Sequence, residues 1–192
     1  MSQQPPAPPG ESPGALTALL CRLFKLEREE VPLVLLSGGY FFCLLASYFI
    51  LRPLRELLGV AGGVRNLPNL YLGSLAGMLL VTPIFSKLVA RFHRAVFIRF
   101  AYRFALANLL IFFLLIRFAP EDQLVWVGRA FYIWLSVYNM FAVSVFWSFM
   151  VDSWRSDQAK RLFGLIGVCG TLGAIMGSAL TSALVGALGH AN

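Results

Sequence analysis

Five apolar runs, each long enough to cross a bilayer, limit what this chain can fold into. They lie at about residues 32–58, 69–88, 95–116, 124–151 and 162–188. A helix needs about 20 apolar residues to span the hydrocarbon, whereas a barrel strand needs only about 10. Inside lipid a helix satisfies its own backbone, so runs of this length predict five transmembrane helices. The expected fold is an all-α integral membrane domain over residues 31–189. Of the 192 residues, 58% are hydrophobic, against about 45–50% in soluble domains. Little chain is left for a soluble unit.

The flanks read differently. Residues 1–14 hold five prolines and no apolar periodicity, which predicts a disordered tail. Over residues 15–30, Leu16, Leu19, Leu20 and Leu23 share a helical face, while Arg22, Lys25 and Arg28 fall largely elsewhere. That is either an amphipathic helix on the membrane surface or a polar lead-in to the first span. No basic segment precedes a short apolar core, so this is not a secretory signal. Residues 190–192 form a tail.

The net charge of +7 fits the lysine and arginine excess that orients membrane proteins. With the N-terminus cytoplasmic, Arg22, Lys25, Arg28, Lys87, Arg91, Arg94, Arg155, Lys160 and Arg161 fall inside. Arg52, Arg55, Arg65, Arg117 and Arg129 fall outside, and this asymmetry favours that orientation. No finger spacing or aromatic-basic groove points to nucleic acid. Cys21, Cys43 and Cys169 are far apart and lack metal spacing. His93 and His190 are isolated, and no nucleophile–base pair is evident. The expectation is a protein with no catalytic residues, no metal and no cofactor, which is not an enzyme.

The chemistry gathers on arginines inside apolar runs. In Tyr48-Phe49-Ile50-Leu51-Arg52-Pro53-Leu54-Arg55-Glu56, the two arginines are three apart and share a helical face. They have two readings: binding of an anionic solute, or snorkelling to lipid headgroups with Arg52 paired to Glu56. Pro53 is expected to kink or unwind the helix. Arg103 lies about 12 Å into the third run at 1.5 Å per residue. A charge there costs at least about 2.5 kcal/mol. Beyond Glu56 in the last turn of the first run, the five runs contain no acid to pair with it. Arg103 is therefore expected to face a water-filled, anion-accepting space, or to find a structural partner. Tyr138 and Asn139 sit near the middle of the aromatic fourth run, placed for a ligand or for packing. Gly73 and Gly77, like Gly173 and Gly177, make small-xxx-small faces for close helix packing.

Short basic loops after the second and fourth spans are similar to those of the N-terminal half of a major facilitator superfamily transporter. That family carries Gly-xxx-Asp-Arg-x-Gly-Arg after its second helix. The matching frame here is Ser86-Lys87-Leu88-Val89-Ala90-Arg91-Phe92-His93-Arg94. Arg91 and Arg94 match, while Ser86, Ala90 and His93 depart from the pattern. The stretches 48–56, 146–152 and 158–164 resemble bacterial relatives of the nucleotide (ATP/ADP) exchange translocases. The resemblance implies a multi-pass protein of the bacterial inner membrane, with two six-helix halves around a cavity of alternating access. The five helices would be an incomplete N-terminal half. Arg52, Arg55, Tyr138 and Asn139 would face the solute, an anionic and phosphorylated or nucleotide-like small molecule. Arg103, on a usually peripheral helix, would stand further off. Arg91, Arg94, Asp152, Lys160 and Arg161 would belong to the inner gate.

Half a facilitator lacks one wall of its cavity. The chain is accordingly expected to be part of a longer transporter whose C-terminal half is its partner. A truncated product is one alternative, with its arginines on lipid headgroups. A non-transporting scaffold that self-associates through the glycine faces of the second and fifth helices is another.

Overall fold

A computed structural model describes residues 27, 30–91, 94–154 and 156–189. The tail expected over 1–14, most of the helix expected over 15–30, and the tail 190–192 lie outside the described residues. Five long helices make up the structure: α1 (Val31–Ala61), α2 (Leu67–Arg91), α3 (Arg94–Phe118), α4 (Glu121–Ser153) and α5 (Ser156–Gly189). All five are long and apolar enough to cross a membrane. Among the described residues there is no strand. The shortest helices have 25 residues, or about 37 Å at 1.5 Å per residue, against a hydrocarbon core of about 30 Å.

The helices outrun the apolar runs, and the connections shrink accordingly. Pro32 opens α1 where a missing N–H costs nothing. Pro53 does not break α1, which is continuous to Ala61. Gly59, expected in the following loop, is therefore helical. The chain reverses at Gly63, whose φ of 94° suits a residue without a Cβ. A single 3-10 turn, Val64–Asn66, follows, and Asn66 Nδ2 donates to the Gly62 carbonyl at 2.6 Å. Glu121 and Asp122, expected in a loop, form the first turn of α4. There the helix dipole favours acids. The polar loop expected over 152–161 is also mostly helix. Asp152 lies in the last turn of α4, which ends at Ser153, and α5 begins at Ser156.

The contact register sets the directions. Gly38, Phe42, Ala46 and Ile50 of α1 meet Cys169, Gly173, Gly177 and Thr181 of α5, each pair four residues beyond the last. Both series rise together, so α1 and α5 run parallel. Against α4 the order inverts: Leu58 lies on Gly128 and Phe41 stacks on Phe146. Gly73 and Gly77 of α2 meet Ile133 and Val137 of α4 in parallel. Alternate crossing by successive helices follows from these pairings.

Helix α4 is the hub, packing on α1, α2 and α3, while α5 packs chiefly on α1. Phe131 and Leu135 of α4 are buried with Leu58 of α1, and Phe112 and Trp134 close over them. Phe146, Met150, Leu162 and Ile166 form a second buried cluster with Phe41. Trp154, of a residue type enriched at membrane interfaces, instead joins this second cluster as a buried residue. Helices α2 and α3 turn most of their leucines and phenylalanines outward. In water such a surface drives aggregation. Against lipid it is an ordinary boundary.

Candidate functional site

Arg55 is a charged residue that the fold carries into the packing of α1 against α4. Its side chain is 13% exposed and lies between α1 and α4. Nη1 donates to Ser136 Oγ at 3.1 Å and to Tyr48 Oη at 3.3 Å. Nη2 engages Glu56. The guanidinium carbon lies 4.7 Å from the centre of the Tyr132 ring, a cation–π contact. Nε is buried and has no partner among the described residues.

Tyr48 precedes Arg55 by two turns on α1, which brings its hydroxyl alongside the guanidinium. On α4, Arg129, Tyr132, Ser136 and Asn139 recur at i, i+3, i+7 and i+10, one stripe of a 3.6-residue helix. Ser136 donates back to the Tyr132 carbonyl at 2.8 Å, leaving its oxygen to accept from Arg55. Gly59 allows this approach. A Cβ there would sit 2.7 Å from the Tyr132 ring.

This seam is under-satisfied. Asn139 Oδ1, Arg129 Nε and Arg55 Nε are buried without a hydrogen-bond partner among the described residues. A buried polar atom left unpaired costs about 1–3 kcal/mol. Three on facing helices mark a place that accepts water or a polar ligand. Arg129, placed by the sequence among the topology charges, lies 4.7 Å from the centre of the Trp126 ring at the Gly62 end of the seam.

The other expected site residues are distributed more widely. Arg52 is exposed, 5.4 Å from the Phe49 ring centre, and does not join Arg55 between the helices. Glu56 pairs with Arg55 rather than with Arg52. Three residues advance a helix by about 300°, so the two arginines diverge by about 60°. That is enough to put one in the seam and the other outside. Arg103 is exposed on α3. Its neighbour Tyr102 makes the inward contact, sharing a hydroxyl–hydroxyl hydrogen bond of 2.5 Å with Tyr40. Tyr138 stacks on Trp134, with ring centres 5.4 Å apart and planes at 5°. Asn139 is half-buried.

Among the residues expected at an inner gate, Arg91 ends α2 and Asp152 lies in the last turn of α4, both exposed. Arg94, Lys160 and Arg161 fall on helices, and their side chains lie outside the described residues. The four packing glycines have partners inside this chain. Gly73 and Gly77 receive Ile133 and Val137, while Gly173 and Gly177 lie on the α1 backbone at Phe42 and Ala46. These four glycines are therefore used in packing within the chain. Cys43 is exposed and Cys169 half-buried, both as free thiols. No group of three or more His, Cys, Asp or Glu able to hold a metal occurs among the described residues.

Comparison with family models, with curated proteins and with solved structures finds no match to this chain.

Proposed function

We propose that this chain is a membrane transport protein of facilitator type that accepts an anionic, phosphorylated solute at Arg55. The observation that carries the reading is the Arg55 guanidinium seated between α1 and α4, with an unpaired Nε and unpaired polar atoms along the same seam. A guanidinium offers a planar fork that matches phosphate and carboxylate oxygens in pairs. Tyr132 supplies a ring face beside it and Tyr48 and Ser136 supply hydroxyls, which suits a ligand having both charge and a flat or polar body. Glu56 holds Nη2 until an anion displaces it. Exchange of the Glu56 carboxylate for the solute's phosphate then keeps the guanidinium paired with an anion throughout.

The proposal extends to the resemblance that the sequence carries. The five helices belong to a facilitator half with the N-terminus cytoplasmic, in a bacterial inner membrane, and a further helical half closes the cavity. The polar seam between α1 and α4 agrees with cavity-lining roles for the first and fourth helices. Nucleotides are the first solutes to try. The purified protein, in liposomes loaded with unlabelled ADP, is expected to exchange it for external labelled nucleotide or another phosphorylated solute. Uptake equal to that of protein-free liposomes, together with no saturable binding of any solute in the panel, would refute the reading.

A second reading, with the arginines on lipid headgroups, is favoured for Arg52 and Arg103 by their exposure. It does not account for Arg55.

A further inference from the structure

A cavity of about 440 Å³ opens between α2, α3 and α4, away from Arg55. On α2 its wall is Val81, Ile84, Phe85 and Leu88, one continuous helical face. Phe97, Phe100 and Phe104 supply the α3 wall at the same spacing. Trp134 and Tyr138 form part of the α4 wall. The polar atoms on the wall belong to Tyr102, Tyr138 and Trp134, and the Tyr102 hydroxyl is already bonded to Tyr40. No cationic side chain among the described residues lines the space, so a phosphate or nucleotide would lie there without a counter-charge and the cavity is a poor second solute site. It suits hydrocarbon.

Charge complementarity specifies the rest of the occupant. Lys87 and Arg91, both exposed, stand three and seven residues beyond Ile84 on the same side of α2. Arg91 is three residues past Leu88, about 4.5 Å along the axis at 1.5 Å per residue. Long side chains on a helix lean toward its N-terminus, which brings these two cations back over the cavity's end. Basic groups beside an apolar space between spans are the chemistry that binds an anionic lipid headgroup.

We propose that this cavity holds an acyl chain of an anionic phospholipid, whose headgroup phosphate is bound by Lys87 and Arg91. The site is independent of the solute at Arg55 and requires only that the five helices lie in a bilayer. A bound chain fills the space between α2 and α3, which otherwise meet each other sparsely beside α4. The lipid thereby braces the edge of the domain and touches the Tyr102 that links α3 to α1.

Trp134 on the wall makes the test optical. The protein is placed in phosphatidylcholine nanodiscs containing equal mole fractions of brominated phosphatidylglycerol or brominated phosphatidylcholine. Quenching belonging to Trp134 is obtained by subtracting the signal of Trp134→Phe. The brominated anionic lipid is expected to quench that component at least about twofold more than the zwitterionic one at low mole fraction. In Lys87→Gln/Arg91→Gln the two lipids should quench alike. Equal quenching in the wild type, or a preference that survives the double substitution, overturns the proposal. So does a Trp134 component that neither lipid quenches. Ala101→Phe, which narrows the cavity, gives a second reading that needs no tryptophan subtraction. Loss of the anionic preference in total quenching is expected there, and its retention overturns the proposal.

Discussion

Glycines of α5 provide a graded test of the packing on which the α1–α5 pair depends. A Cβ built at Gly177 lies 2.5 Å from the Ala46 carbonyl oxygen, where ordinary contact begins at 3.4 Å. The obstacle is backbone, so it cannot rotate away. In Gly177→Ala the helices must part by about 0.9 Å, the difference of those two distances. A gap of 0.5–1 Å forfeits about a quarter to a half of the dispersion energy of each affected contact, and overpacking typically costs about 1–3 kcal/mol. The rigid obstacle places this case near 3 kcal/mol. Alanine's better helix propensity offsets about 1 kcal/mol, leaving a net loss of about 2 kcal/mol. Gly173→Ala meets the Phe42 backbone and should lose as much. Gly164→Ala and Gly167→Ala make the same chemical change on the same helix, yet a Cβ at either finds nothing within 4 Å. These two should be neutral or gain up to about 1 kcal/mol. Equilibrium unfolding of the four variants in one detergent, each against wild type, reads the order directly. If all four shift together, or if Gly164→Ala is the worst, the α1–α5 register described above is wrong.

Other expectations follow from single contacts. Glu56→Gln removes the carboxylate that competes for Arg55 Nη2. It should tighten binding of an anionic solute by up to about fivefold, from about 1 kcal/mol for a part-exposed pair, measured by competition with a labelled ligand. Arg55→Lys keeps the charge but loses the fork, and should weaken the same ligand at least about tenfold without unfolding the protein. Tyr40→Phe and Tyr102→Phe should each cost about 0.6–1 kcal/mol in unfolding free energy, and the double variant no more than either, since they share one hydrogen bond. Leu135→Ala, at a fully buried position of the α4 hub, should cost about 2–5 kcal/mol in the same measurement.

The number and order of the helices were legible because each apolar run is longer than any buried soluble strand. Their ends were not. Asp152 and Glu121–Asp122 look like loop on composition, but charged residues at helix termini extend past the hydrocarbon and remain helical. Arg55 was legible as a charge in a span, and its separation from Arg52 was not, because that depends on where α4 lies. A signal for the α4 side was present in the sequence. Arg129, Tyr132, Ser136 and Asn139 form a polar stripe on an otherwise apolar helix, and only Asn139 stood out before the fold was known. Arg103 pointed to a cavity on burial cost alone. The structure sets it on the most peripheral helix, where its long side chain is exposed. Trp154 shows the limit of the interfacial rule for tryptophan, since packing against Val31, Val34 and Leu162 buries it.

The central claim, that Arg55 receives an anion between α1 and α4, is tested most directly by equilibrium binding of labelled ADP to the purified protein. Unlabelled ATP, pyrophosphate and inorganic phosphate serve as competitors, and the Arg55→Gln variant as the control. The account predicts saturable binding that phosphorylated competitors displace and that Arg55→Gln abolishes, while the variant's fold, judged by gel filtration and helical circular dichroism, is retained. Binding of equal strength in Arg55→Gln, or no displaceable binding to the wild type, would contradict it.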